Sequence, residues 1–189
     1  MSNTSEQIMD IAQAFIQQRG YNAFSYSDIA GEIGIKTASI HYHFPSKADL
    51  GKNLLERYNE EFVKQTGAID EKESSAVNRL KAYLDLNLEL LDDQKMCLAG
   101  AFASDIFTLP EELQIKVREF VSLNESWLAK TFREGRNASE IKLEGNVEIR
   151  ARSFFSTVQG AMLIAKAMKS EERFLTISQD LLNGLVLRS

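Results

Sequence analysis

The sequence predicts an all-α protein of about nine helices: a short N-terminal three-helix module, then a larger helical body. Three observations carry this. Apolar residues recur at helical spacing nearly throughout, and no run alternates cleanly as a half-buried strand would. Two prolines, Pro45 and Pro110, leave long stretches uninterrupted. The periodic segments are short before about residue 45 and long after it.

The first helix places Ile8, Ile11, Ala12, Phe15 and Ile16 on one face and stops at Gly20, where a left-handed residue costs least. Ser25 followed by Asp28 has the spacing of a capping box, so a second helix starts near Tyr26. It turns Ile29, Ala30 and Ile33 inward and ends at Gly34. A third begins near Thr37 and ends before Pro45. Ser46 caps a fourth, through Leu50, Leu54, Tyr58, Phe62 and Val63. Gly67 to Ser75 is polar and reads as a connection. Val77, Leu80, Leu84, Leu88 and Leu91 form the next stripe. Cys97 to Phe107, small and apolar up to Asp105, reads as one central buried helix. Pro110 fits the first turn of a helix carrying Leu113, Val117, Val121, Trp127, Leu128 and Phe132. Gly135 to Asn146 separates it from the last two helices, at about 147–169 and 172–187, whose apolar faces find no obvious partner within the chain.

Composition narrows function. Apolar residues make up 44% and charged ones 26%, enough for a packed core and against wholesale disorder. A net charge of −5 argues against a protein that coats nucleic acid indiscriminately. The single cysteine, Cys97, excludes an intramolecular disulfide framework and fits a reducing compartment. No uncharged apolar run approaches the roughly 18–20 residues of a membrane span. Met1 to Glu6 lacks the basic-then-apolar pattern of a signal, so a cytoplasmic location is expected. Asn137-Ala138-Ser139 is read as ordinary surface. The only histidines are His41 and His43. Residues i and i+2 of a helix do not share a face, so they do not predict a metal chelate. With no phosphate loop and no metal cluster, neither an enzyme nor a cofactor is expected.

The informative stretch runs from Ser25 to Leu50. It reads as a helix, a sharp turn at Gly34 and a second short helix, a pair that needs a small residue in the turn. Ile29, Ala30, Ile33, Ile35, Ile40 and Phe44 are its apolar side. Thr37, Ser39, His41, Tyr42 and His43 are compact hydrogen-bonding or planar groups, suited to base edges in a major groove. Lys36 and Lys47 flank that helix, within reach of phosphates.

Asp28-Ile29-Ala30, Gly34-Ile35, Ile40-His41-Tyr42-His43-Phe44-Pro45-Ser46-Lys47 and Leu50 resemble the N-terminal motif of TetR-type transcriptional regulators, in residue type and spacing, and Gly20-Tyr21 fits as well. The resemblance covers about the first quarter of the chain. It implies a DNA-binding domain over residues 1–46 and a ligand-binding and dimerisation domain over 47–189. It implies base contacts from Thr37, Ala38, Ser39, Tyr42 and His43, and phosphate contacts from Tyr26, Ser27, His41 and Lys47, with Lys36 beside them. There are three departures from the pattern: Phe24 stands for the usual Thr, Lys36 for Ser, and the pair Ile40-His41 for Leu-Tyr. The last exchanges a phenol for an imidazole and predicts a pH dependence.

The resemblance further implies a repressor that binds a palindromic double-stranded DNA operator as a homodimer joined through the last two helices, and that a small-molecule effector releases. The alternative is a helical ligand-binding or interaction protein that has lost operator recognition. For the effector site the expected residues are Cys97, Phe102, Asp105, Trp127, Phe155 and Gln159. Phe102, Phe107, Trp127, Phe132, Phe154 and Phe155 also suit plain core packing. Cys97 fits either a small core hydrophobe or an electrophile sensor, since Met96 to Gly100 resembles that region of some electrophile-sensing members. Over residues 1–52, Arg19, Lys36, Lys47 and Lys52 face Glu6, Asp10, Asp28, Glu32 and Asp49, a net charge of −1; residues 36–52 alone carry +2. The positive charge is local to the reading helix, which predicts operator-specific binding that strengthens at low salt.

Overall fold

In a computed structural model, residues 4–92 and 95–185 are described. Among them lie nine α-helices: α1 Thr4–Arg19, α2 Tyr26–Ile33, α3 Thr37–His43, α4 Lys47–Lys72, α5 Ala76–Asp92, α6 Leu98–Ser104, α7 Glu111–Asn137, α8 Val147–Met168 and α9 Glu171–Asn183. Short 3₁₀ turns occupy Tyr21–Ala23 and Ile106–Thr108. The predicted all-α class holds.

Two compact units divide the chain: Met1–Glu60 with Cys97–Phe120, and Glu61–Met96 with Val121–Ser189. In the first, α1 packs on α2, α3 and α6. Its fully buried side chains include Ile8, Ile16, Ile29, Ile40, Leu50, Leu54, Phe102 and Leu113. Arg57 fastens α4 to α1, donating from Nη1 to Asp10 Oδ1 and from Nη2 to Gln13 Oε1, each at 2.8 Å. In the second unit, α5, α8 and α9 pack on one another, and Tyr83, Phe132, Phe154 and Phe174 fill the interior.

Four expectations change. Gly67 to Ser75 is not a connection, because α4 runs on to Lys72. Buried Phe62, Thr66 and Ile69 hold that end at helical spacing, and the cost of a surface glycine in a helix, about 1 kcal/mol, is offset by their burial. Likewise α7 passes through Gly135. A Cβ there would lie 2.6 Å from Ala76 Cβ and Ile141 Cδ1, so this glycine marks a close approach and not a stop. The predicted helix Cys97 to Phe107 is shorter: α6 ends at Ser104, the chain turns, and Leu109 is buried where Phe107 was expected. Phe107 is fully exposed. Finally, α9 ends at Asn183, and residues 186–187 of the expected helix lie outside the described residues. No helix among the described residues is long and apolar enough to cross a membrane.

Candidate nucleic-acid interface

The interface is built from its caps inward. Asp28 Oδ2 accepts both the Ser25 N–H and the Ser25 hydroxyl at 2.7 Å, starting α2 as the sequence predicts. These donors hold the Asp28 carboxyl below the usual carboxylate range. Ser46 and Asp49 repeat the device at α4: Asp49 Oδ2 accepts the Ser46 N–H at 3.0 Å and its hydroxyl at 2.7 Å. Between them, Gly34 takes the left-handed conformation (φ 79°, ψ 31°), and its N–H donates to Ala30 O at 2.9 Å. That turn sets α3 across α2.

A Cβ on Gly34 would meet nothing within 4 Å, so substitution there tests backbone conformation alone. A left-handed β-branched residue costs about 1–2 kcal/mol or more. Gly34→Val is expected to lower DNA affinity about tenfold, by the same arithmetic, whereas Gly34→Asn retains most of it. Fluorescence anisotropy on one labelled duplex checks both.

Along α3, Ile40 is fully buried and Phe44 follows it into the core. Thr37, Ala38, Ser39, His41 and Tyr42 are exposed, Tyr42 to 84%, and His43 is half-buried with its ring 5.3 Å from that of Tyr42. Lys36, the N-cap residue, is exposed, as is Ser27 in the first turn of α2. The His41 ring meets Tyr26 edge-on at 4.8 Å, and its Nδ1 lies 3.2 Å from Pro45 O. Ser27, Lys36, Thr37, Ala38, Ser39, His41 and Tyr42 are thus exposed, while Ile40 points into the core.

Tyr26 and Lys47 have partners inside the module. Tyr26 is buried, and its hydroxyl donates to Phe44 O at 3.0 Å and Ser46 O at 2.6 Å. Burial, then the Asp49 charge, pushes its phenol pKa upward. The Lys47 ammonium donates to Phe24 O and lies 4.0 Å from the Phe24 ring centroid and 4.7 Å from that of Tyr21. Burial pushes its pKa down, against the charges of Asp105 and Asp28.

Of the residues expected at an effector site, Cys97, Phe102 and Asp105 belong to the first unit and Trp127, Phe155 and Gln159 to the second. Cys97 is buried at the N-cap of α6, and Phe102 packs on Tyr21 with ring centroids 5.1 Å apart. Asp105, expected as a polar effector-site group, accepts the Asn22 N–H at 3.3 Å, while Asn22 Nδ2 donates to Thr108 Oγ1 at 2.9 Å. Asn22 and Thr108 carry no motif, and more than 80 residues separate the bonded positions, so sequence reasoning missed this tie. Trp127 Nε1 donates to Asp70 Oδ2 at 3.3 Å, and its ring stacks on Tyr83 at 5.6 Å. Phe155 is buried, and Gln159 Oε1 is buried without a hydrogen-bond partner.

A family model described as "Bacterial regulatory proteins, tetR family" matches residues 8–53, the whole of this capped, glycine-turned module. A TetR-family transcriptional regulator from Agrobacterium tumefaciens is 31% identical, covers 97% of both chains and superposes with a TM-score of 0.94. The chain belongs to the TetR family. A TetR transcriptional regulator from Legionella pneumophila is 34% identical over 98% of both chains, with a TM-score of 0.89. The HTH-type transcriptional repressor DhaR of Mycobacterium sp. (strain GP1) is 26% identical over 172 residues, 87% of this chain and 84% of that protein. This TetR-family member is therefore a DNA-binding transcriptional regulator and not an enzyme, and α2–Gly34–α3 is its helix-turn-helix.

Proposed function

We propose that this regulator is a repressor that occupies a palindromic operator as a two-fold dimer and leaves it when a small molecule binds. The observation that carries the reading is the outward face of α3, polar and exposed on one side and anchored by Ile40 and Phe44 on the other. Thr37, Ala38, Ser39, Tyr42 and His43 read base edges, and Ser27, Lys36 and His41 meet phosphates. Residues 1–46 form the DNA-binding domain and 47–189 the effector and dimerisation domain. The name of the DhaR relative, a repressor, supports the sign of regulation.

Dimerisation through α8 and α9 is supported by five large apolar side chains left exposed there: Ile149, Leu163, Ile164, Met168 and Leu175. Solvent-facing Ser153, Ser156 and Gly160 lie along α8 between the first and second of these and let a second helix approach closely. A Cβ at Gly160 meets nothing within 4 Å, so a large residue fits the protomer but not a close helix pair. Gly160→Arg is expected to give monomers by light scattering at micromolar concentration and to lose operator binding, because half-sites are held by the pair. A Gly160→Arg dimer with full affinity would place the interface elsewhere.

The effector reading is supported by Gln159 Oε1, a buried acceptor without a hydrogen-bond partner, in a unit where Trp127 and Phe155 are buried apolar groups. An effector releases DNA only by binding the DNA-incompetent state more tightly. Footprinting the DNA upstream of the protein's own gene, followed by an effector screen for release, tests the whole reading. A wild type without salt-sensitive binding to any duplex would leave the alternative, a helical binding protein that no longer reads DNA.

A further inference from the structure

We propose that His41 is a proton-gated contact to DNA: its neutral ring offers a phosphate only a lone pair, the imidazolium alone donates to it, and operator affinity therefore rises as pH falls. The proposal rests on the reading of α3 as the helix that enters the groove and of His41 as a phosphate contact.

The gate lies in where the proton of the neutral ring sits. A neutral imidazole carries a hydrogen on one nitrogen and a lone pair on the other. His41 Nδ1 lies 3.2 Å from Pro45 O. A carbonyl oxygen only accepts, so this bond places the hydrogen on Nδ1. The Tyr26 hydroxyl takes the carbonyls on either side, Phe44 O at 3.0 Å and Ser46 O at 2.6 Å, which leaves Pro45 O to His41. Nε2 then holds the lone pair, and it has no hydrogen-bond partner among the described residues. A phosphate oxygen is an acceptor too, so the neutral ring has no hydrogen to give it. Moving the hydrogen to Nε2 would set the Nδ1 lone pair against Pro45 O, which only relocates the mismatch. A second proton removes it. Both nitrogens then donate, and the ring gains the charge that strengthens a bond to phosphate. The tyrosine of the family pattern at this position would carry no such gate, because a phenol keeps its O–H up to a pH of about 10.

The surroundings leave that charge for the DNA. From α2, His41 meets the Tyr26 ring edge-on at 4.8 Å, a phenol whose pKa burial and the Asp49 charge push upward. From α1, also packed on α3, no hydrogen bond, ion pair or ring contact reaches it among the described residues. No carboxylate of α2 or α4 pairs with it there either: Asp28 is taken by Ser25 and Asp49 by Ser46. The Lys47 ammonium is bonded to Phe24 O in the protomer. Along α3 the titratable neighbours are Tyr42 and His43, edge-on to each other at 5.3 Å.

His41 and His43 are the only histidines of the chain, so two variants separate them. The full-length protein would be titrated by anisotropy at constant salt, with a duplex that the wild type enriches from a random library at about pH 6. Wild-type Kd is expected to rise about tenfold or more between about pH 6 and about pH 8. His43→Gln is expected to keep that ratio. His41→Tyr is expected to lose most of it and to bind tightly at both ends. A wild-type Kd that does not change with pH overturns the gate and leaves the DNA-binding reading standing. A change that persists in His41→Tyr overturns it as well, as does one that His43→Gln abolishes. Nitrogen-15 NMR of the ring nitrogens at about pH 8, without DNA and with His43→Gln for assignment, reads the tautomer directly. The Nδ1–H form is expected for His41, and a predominant Nε2–H form would overturn the gate even if His41→Tyr did not fold. If the wild type enriches no duplex, the DNA-binding reading fails, and the proposal with it.

Discussion

Tyr42→Ala is expected to weaken operator binding by about 1–3 kcal/mol, roughly ten- to a hundredfold, without unfolding the protomer. Tyr42 is 84% exposed, and its ring lies edge-on to that of His43, at 5.3 Å. So large an apolar surface in water on a helix whose opposite side is locked by Ile40 and Phe44 has no role in the protomer's own packing. Surface substitutions of this kind shift stability by about 0.5 kcal/mol or less. Anisotropy on an enriched duplex and on an unrelated one, with a thermal melt alongside, gives the result. A loss confined to the enriched duplex identifies Tyr42 as a base reader. An equal loss on both duplexes would reassign it to the DNA backbone, and no loss would take α3 out of the groove.

In the second unit the largest expected effect is on stability. Phe154→Ala is expected to cost about 3–5 kcal/mol, against a total of roughly 5–15 kcal/mol for a folded domain. The Phe154 side chain is 1% exposed, edge-on to Phe132 at 5.5 Å and tilted to Tyr83 at 6.4 Å. Tyr83 in turn donates its hydroxyl to Asn124 at 2.9 Å and stacks on Trp127. Removing Phe154 therefore opens a void beside a hydrogen-bonded aromatic cluster that cannot collapse without breaking the Tyr83–Asn124 bond. Denaturant unfolding at one fixed protomer concentration measures it, since a dimer's stability depends on concentration. A loss under about 1 kcal/mol would mean that the neighbours close the gap freely.

Local signals were readable without any structure. The Ser25–Asp28 spacing, Ser46, Gly20, Gly34 and Pro45 each act within a few residues of themselves, so the end of α1, both ends of α2, the end of α3 and the start of α4 follow from them directly. Glycine misled where its role was tertiary. Gly67 lies on the exposed side of a helix held by Phe62 and Ile69, and Gly135 sits against Ala76 and Ile141, partners that no local window contains. Phe107 misled for the converse reason, since a run of small apolar residues does not say where the chain will turn.

The sequence by itself determined the helical class, the helix-turn-helix and the outward polar face of α3, because each is set by helical periodicity and by caps between near neighbours. Only the tertiary structure decided which partners the flanking polar residues find within the protomer. The resemblance implies phosphate contacts from Tyr26 and Lys47. Folding brings the carbonyls of Phe24, Phe44 and Ser46 and two aromatic rings to their tips, and a buried donor goes to the acceptor it can reach. Asp105 likewise accepts the Asn22 N–H across 83 residues of chain, a partner no local window contains.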